Sequence, residues 1–206
     1  MKALNQEYFD RPESVKIARG ENANRSPEPQ RGDVLGLDGK ILSAATNGGI
    51  KNPSKTIIPP GSTLVRFANA PFVHHAAAGG WWLDFPNYKL VECYADAQGK
   101  PVATAMRELC AVPAEWSGMT LMIQARTRSS LVAYSGLGKP AFVHTKFSVT
   151  KSINPRAYSK TDVTQLYIPG LQSPDLLKKA LIVRGYQLLD PGVSTQGYNP
   201  AMSVSR

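Results

Sequence analysis

Cysteine is scarce: Cys93 and Cys110 are the only two in 206 residues, they form no CxxC pair, and three scattered histidines give them no zinc-ligand spacing. A reducing compartment and no structural metal are expected. Long apolar runs are also missing. No stretch approaches the roughly 18–20 apolar residues of a membrane span, and the start, MKALNQEYFDRPESVK, has no apolar signal core. A soluble protein without a Sec-type signal follows as an expectation. Neither repeats of 20–50 residues nor heptads occur, which argues against solenoids and coiled coils. Acidic residues are absent from one long span: between Glu115 and Asp162 there is none, while Arg126, Arg128, Lys139, Lys146, Lys151, Arg156 and Lys160 supply seven positive charges.

Hydrophobic residues make up 42% of the chain and charged ones 19%, so it is not wholly disordered. A single domain of this length buries about 70% of its unfolded surface and needs no disulfide or metal to hold a core. The organisation changes near residue 55. Before it, ENANRSPEPQRGDVLGLDGK and SAATNGGIKNPSK are rich in Pro, Gly, Asn and Ser, and residues 1–55 read as an extension, partly irregular, with too few apolar groups for a core. The extension carries nine Lys and Arg against seven Asp and Glu, so most of the formal +9 falls on residues 56–206. A solvated cationic face and an anion-binding face both account for the acid-free span. No RNP motif, helix-turn-helix pattern or zinc-finger spacing accompanies it. The charge alone therefore points to an anion and to no class of ligand.

From residue 56 onward, β-branched and aromatic residues alternate in short runs bounded by Gly, Pro and Asn. Strands are expected at Ser62–Phe67, Trp81–Phe85, Thr120–Arg126, Ser130–Ser135, Ala141–Thr150 and Thr164–Pro169. A helix is expected over Ser173–Arg184, with Ser173 as cap, Pro174 in the first turn, Asp175 complementing the dipole and Gly185 as the stop. A second is expected from about Pro101 to Leu109. Few helices and many short strands predict an α+β domain with a mostly antiparallel sheet.

Three segments are unusual enough to carry chemistry. In Ser62-Thr63-Leu64-Val65-Arg66-Phe67 an arginine interrupts an apolar strand; Leu64, Arg66 and Ala68 share one face, Val65 and Phe67 the other. Its planar fork of donors suits phosphate, while an outward-facing arginine is the ordinary alternative. In Gly79-Gly80-Trp81-Trp82, glycines allow close backbone approach just before paired indoles. One indole packs inward and the other is free to stack on a planar ring or to cover the core. His74 and His75 upstream read as solvated loop residues. In Thr164-Gln165-Leu166-Tyr167, Gln165 and Tyr167 share a face, and a buried Gln needs partners that a sugar diol or the protein itself can supply.

The order of these segments, with Arg107-Glu108-Leu109-Cys110-Ala111-Val112-Pro113 and the strand ending Tyr134-Ser135-Gly136-Leu137-Gly138 between them, resembles the NAD-cleaving toxins of the ADP-ribosyltransferase superfamily. Within it the pattern is similar to the tuberculosis necrotizing toxin family of NAD glycohydrolases. There an Arg-Phe pair opens the domain, a Gly-rich aromatic strand follows, then an Arg-x-Leu-Pro segment, then a Gly-rich loop leading to Gly-Thr-Gln-Tyr. The resemblance spans roughly residues 57–190. It departs from the pattern at Val163, which stands where the glycine precedes Thr-Gln, at Cys110-Ala111-Val112 inserted before Pro113, and in a longer loop between Gly138 and Thr164.

The resemblance implies an ADP-ribosyltransferase-like fold for residues 56–206 and a toxin or effector activity, with hydrolysis of NAD to nicotinamide and ADP-ribose. It implies that Arg66 and Gln165 are the catalytic residues, that Arg66 with Arg107 grips the pyrophosphate, that Gly80 and Trp81 are substrate-binding residues of the Gly-rich aromatic strand, that Trp81 or Tyr134 stacks on nicotinamide, and that Gln165 hydrogen-bonds the ribose hydroxyls. NAD is the substrate and no metal is called for. Transferases of the superfamily usually carry a Gln-x-Glu or Glu-x-Glu pair whose last carboxylate falls where this chain has Tyr167, so the resemblance favours water as acceptor over protein. A mono-ADP-ribosyltransferase is the neighbouring alternative, and a non-enzymatic basic module binding nucleic acid or another anion is the alternative from a different class. A toxin made in the cytoplasm and delivered to a target cytosol by a non-Sec route, as an antibacterial effector would be, further implies an acidic immunity protein as partner.

Overall fold

A computed structural model describes residues 2–21, 34–43, 48–69, 72–144, 149–151 and 163–189. The chain forms α1 (Gln6–Phe9) and α2 (Pro12–Ala18), a short pair β1 (Val34–Leu35) and β2 (Ile41–Ser43), then β3 (Ile50–Ile58), β4 (Thr63–Ala68) and α3 (Val73–Ala77). Next come β5 (Trp81–Asp84), α4 (Phe85–Gln98), α5 (Val102–Cys110), β6 (Leu121–Thr127) and β7 (Leu131–Gly138). A second pair, β8 (Phe142–His144) and β9 (Val149–Lys151), precedes β10 (Thr164–Tyr167), α6 (Pro174–Ala180) and β11 (Leu181–Leu188). Seven strands make one antiparallel sheet in the order β11-β6-β4-β5-β10-β7-β3. The class is α+β, as expected. No helix among the described residues is long and apolar enough to cross a membrane.

Five expected strands are present as β4, β5, β6, β7 and β10, and the helix expected from Pro101 is α5. Two expectations need correction. The helix expected over Ser173–Arg184 ends at Ala180, because Leu181-Ile182-Val183 pairs with the open edge of β6. Strand pairing outweighs a weak helical propensity there, and Gly185 marks a register shift in β11 instead of a helix stop. The run Ala141–Thr150 holds two paired strands in place of one. Of the acid-free span, Lys146, Arg156 and Lys160 lie outside the described residues.

Sequence patterning missed the short helices α1, α2 and α3 and also α4, the longest among the described residues. Asp84 caps it by accepting from Asn87 N at 2.8 Å, Pro86 lies in its first turn, and Gly99 at φ 57° closes it. Its buried positions, Tyr88, Val91, Tyr94 and Ala95, are helical in spacing, but exposed Leu90 and Cys93 blur the stripe.

Strand alternation sorts the core. Leu64, Ala68, Trp82, Ile123, Leu166 and Ile168 fill one face of the sheet. On the other, Val65, Phe67 and Leu83 pack with residues of α4 and α5. Beside them Ile50, Val132, Tyr134 and Tyr167 pack with Ala3, Phe9 and Ala18. The boundary expected at residue 55 thus falls inside β3, which pairs with β7 from Ile50 to Ile58. Ala3, Phe9, Ala18 and Ile50, all before it, belong to that cluster. Asn5 is fully buried: its Nδ2 donates to the carbonyls of Val132 (2.8 Å) and Pro169 (3.0 Å), and its Oδ1 accepts from Val132 N (2.8 Å). Phe9 stacks on Tyr134 with ring centroids 4.3 Å apart. A segment too poor in apolar groups to fold alone is held here by the sheet it packs against.

Asn5→Ala should lower stability by about 2–4 kcal/mol in urea denaturation, because it orphans a buried N–H and two buried carbonyls. A chain beginning at Thr56 should show no cooperative unfolding transition. A wild-type midpoint for either protein would mean that the N-terminal segment lies outside the folding unit.

Candidate functional site

β5 divides its four residues between two neighbours. Leu83 and Asp84 pair with Val65 and Leu64 of β4, whereas Trp81 and Trp82 pair with Tyr167 and Leu166 of β10. The β4–β5 ladder ends at Val65, so the strands part where Arg66 begins. The Arg66 guanidinium occupies that gap: Nε donates to the Ala76 carbonyl and Nη1 to the Trp81 carbonyl, each at 2.7 Å. A Cβ at Gly79 would overlap the guanidinium, so only glycine lets the chain pass over it. Burial lowers the Arg66 pKa to about 10, which leaves it cationic at neutral pH. No carboxylate among the described residues lies within ion-pair distance of it. Nη2 has no hydrogen-bond acceptor among the described residues.

Gln165 sits on β10 opposite Gly136 of β7 and is 7% exposed. Its Nε2 donates to the Cys110 carbonyl at 3.2 Å, while Oε1 meets no donor among the described residues. A Cβ at Gly138 would come within 2.5 Å of Nε2 and 2.7 Å of the Cys110 carbonyl, so the close packing of β7 on α5 fixes the amide. Arg66, Gln165 and Trp81 border one cavity of about 740 Å³, within the range of small-molecule sites. Trp81 is half-buried with its ring 5.1 Å from that of Tyr167, and Trp82 on the opposite face is buried with Nε1 bonded to the Gly79 carbonyl at 2.7 Å. The expected division of labour between the two indoles is present. Gly80 lies beneath, where a Cβ would come within 2.6 Å of the Tyr167 ring; its carbonyl accepts from Ile168 N at 2.8 Å.

Two expected ligand-binding residues are elsewhere. Arg107 does not border the cavity; Nη1 donates to the Pro113 carbonyl at 3.1 Å and Nη2 to the Ser117 carbonyl, so it clamps the loop after α5. Tyr134 is covered by Phe9, to whose carbonyl its hydroxyl donates at 3.2 Å, and is likewise away from the cavity. The N-terminal segment, whose packing the composition hid, is what buries it. His75 belongs to α3, not to a loop, and borders the cavity.

Other cavity residues were not singled out by sequence. Asn69 Oδ1 accepts from Ser117 Oγ and Met119 N, both at 3.1 Å, holding the loop that forms one wall. The Cys110 thiol is pushed up to about 12 by burial, so it stays protonated and is no nucleophile at neutral pH. Glu21 borders the cavity as well. Among the described residues no three His, Cys, Asp or Glu side chains gather as a metal site. No protein-family model matches the chain, and a comparison with curated proteins finds no match.

Gly79→Ala should push the guanidinium off the Ala76 and Trp81 carbonyls and cost about 1–3 kcal/mol for the buried acceptors left unpaired. Urea denaturation of the variant, with circular dichroism to confirm an intact fold, reads this directly; an unchanged midpoint would show that the guanidinium is not held in the gap.

Proposed function

We propose that the chain is an NAD glycohydrolase, cleaving NAD to nicotinamide and ADP-ribose, and that its sheet is of the ADP-ribosyltransferase-like kind. One observation carries this reading. β4 and β5, which carry Arg66 and Trp81, lie beside β10, which carries Gln165 and is far from them in sequence, and Arg66, Trp81 and Gln165 meet at one cavity. A partly desolvated guanidinium without a carboxylate calls for an anion, and a buried amide with a free carbonyl calls for a donor. A dinucleotide offers both as pyrophosphate and ribose hydroxyls.

Chemically, the bond from ribose C1′ to the nicotinamide nitrogen breaks through a transition state with oxocarbenium character. Nicotinamide leaves neutral from a cationic nitrogen, so little acid catalysis is required. The protein's work is to hold the dinucleotide and favour positive charge on the ribose. Arg66 Nη2 would bond a pyrophosphate oxygen, Trp81 would stack on nicotinamide, and Gln165 Oε1 would accept from a ribose hydroxyl more strongly as the ring gains charge. With Tyr134 behind Phe9, Trp81 is the stacking residue of this reading; with Arg107 in the loop clamp, Arg66 carries the pyrophosphate. As a toxin consuming NAD, the chain would be matched by an acidic immunity protein drawn to its +9 charge, and as an effector it would be delivered to a target cytosol.

Incubation with NAD should release free nicotinamide. Gln165→Ala should lower kcat by about 10²-fold with a smaller change in KM, and Arg66→Lys should stay impaired because a point ammonium does not reproduce the fork. Label from NAD appearing on protein would assign a transferase instead, and intact NAD after prolonged incubation would leave a non-enzymatic anion-binding module.

A further inference from the structure

We propose that Glu21 is a catalytic carboxylate of this site, facing the ribose carbon from the N-terminal segment; the inference rests on the hydrolase reading above. Glu21 is the one acidic side chain bordering the cavity among the described residues, and it is half-buried. Its position is built by the turn that ends α2. Gly20 at φ 79° takes the left-handed conformation, Gly20 N donates to the Ile17 carbonyl and Glu21 N to the Lys16 carbonyl, each at 2.9 Å. This is a Schellman closure, which reverses the chain so that Glu21 follows Ile17 onto the cavity wall.

A chain of contacts puts Glu21 on the Gln165 side of the cavity. Gln165 Nε2 packs on Gly138; Lys139 N, next along, donates to the Gly49 carbonyl at 2.8 Å; and Gly49 lies so close to the Arg19–Gly20 backbone that a Cβ there would overlap it. Lys139 Nζ in turn donates to the Arg19 carbonyl. Burial lowers the Lys139 pKa and the field of Glu21 opposes that shift, so the two charges sense one another. Yet no described cation lies within ion-pair distance of the Glu21 carboxylate. It is a negative charge on the cavity wall whose backbone is held by the turn after α2, and no hydrogen bond or ion pair among the described residues joins it to Arg66, which is held separately by Ala76 and Trp81.

That placement answers a need the sheet leaves open. β10 carries Gln165 and Tyr167 and no carboxylate, while a ribose gaining positive charge is stabilised by a fixed anion and an attacking water needs a proton acceptor. In the step, the C1′–N bond breaks with its electron pair going to the nicotinamide nitrogen. Water forms the new C1′–O bond and gives its proton to the Glu21 carboxylate, which releases it to solvent. A carboxylate near pyrophosphate would repel substrate, whereas beside the cationic nicotinamide ribose it attracts, so the polarity of the cavity orients the dinucleotide.

The test is steady-state hydrolysis of NAD by the full-length wild type, Glu21→Gln, Glu21→Asp and, as a control, Glu13→Gln on the exposed side of α2, with melting temperatures of all four. Glu21→Gln should lose about 10²-fold or more in kcat, with KM within about 3-fold and an unchanged melting temperature, because its side chain bonds nothing it would leave unpaired. Glu21→Asp should recover part of the loss and Glu13→Gln should match wild type. Wild-type kcat in Glu21→Gln, a rise in KM alone, or a fall in melting temperature that parallels the lost rate would each overturn the role of Glu21 while leaving the hydrolase reading intact. A wild-type chain that releases no nicotinamide overturns both.

Discussion

A guanidinium wedged into a parted sheet is the interaction on which the rest of this structure depends. The β4–β5 ladder stops at Val65 and Leu83, and the β5–β10 ladder begins at Trp82 and Leu166. A four-residue strand is too short to pair fully on both sides of a twisting sheet, so its neighbours diverge. The polar backbone exposed by that divergence must find partners. Arg66 supplies them by donating to the Ala76 and Trp81 carbonyls, which fixes the end of α3, the start of β5 and the direction of the Trp81 ring together. The desolvation that brings its pKa down to about 10 is a cost borne in the folded state, partly offset by those two charge-assisted bonds. An anion arriving in the cavity would relieve it further. The same residue thus serves the fold and, on the proposed reading, would serve the ligand.

Which parts of this were legible in the sequence follows from how local each cause is. Alternation along β4 and β10 placed Leu64 and Ala68 on one face, Val65 and Phe67 on the other, and Gln165 with Tyr167, because the period of a strand depends on nothing outside it. The inward and outward indoles of Trp82 and Trp81 were legible for the same reason. What was hidden depends on tertiary context. Leu181–Val183 had an acceptable helical pattern and became strand because β6 had an open edge. Arg107 and Arg66 look alike as sequence; one ties down the Pro113–Ser117 loop and the other borders a cavity, and only the positions of distant carbonyls decide between them.

The N-terminal segment is the extreme of that dependence. Its apolar side chains are few, and composition alone makes it an appendage. In place, each is matched to a prepared surface: Phe9 to the Tyr134 ring, Ala18 and Ala3 to the cluster around Ile50, and Asn5 to backbone groups of β7 and the turn after β10. A buried Asn bonded at all three points contributes more order than several loosely packed methyl groups, because in any other arrangement its partners would be left unsatisfied. One consequence is that Tyr134, which the linear pattern offers to a ligand, is taken up by the protein itself.

Charge acts on two length scales here, and they must not be conflated. The formal +9 is a long-range property; it raises the local concentration of any anion and is blind to which end of the anion arrives first. Orientation is decided within a few ångströms, where the cavity is bordered by the Arg66 guanidinium and the Glu21 carboxylate. NAD is itself polar in this sense, with a pyrophosphate anion at its centre and a cationic nicotinamide at one end. A cavity bearing only cations would bind the pyrophosphate in either sense and would oppose charge moving onto the ribose. A cavity bearing both signs would select one sense and, with the carboxylate facing the ribose as proposed, would gain attraction as the bond breaks and positive charge moves from the nicotinamide nitrogen onto the sugar. On the proposed reading, the acid-free span from Glu115 to Asp162 would draw the substrate in, and Glu21, the one acidic residue on the cavity wall among the described residues, would set its direction.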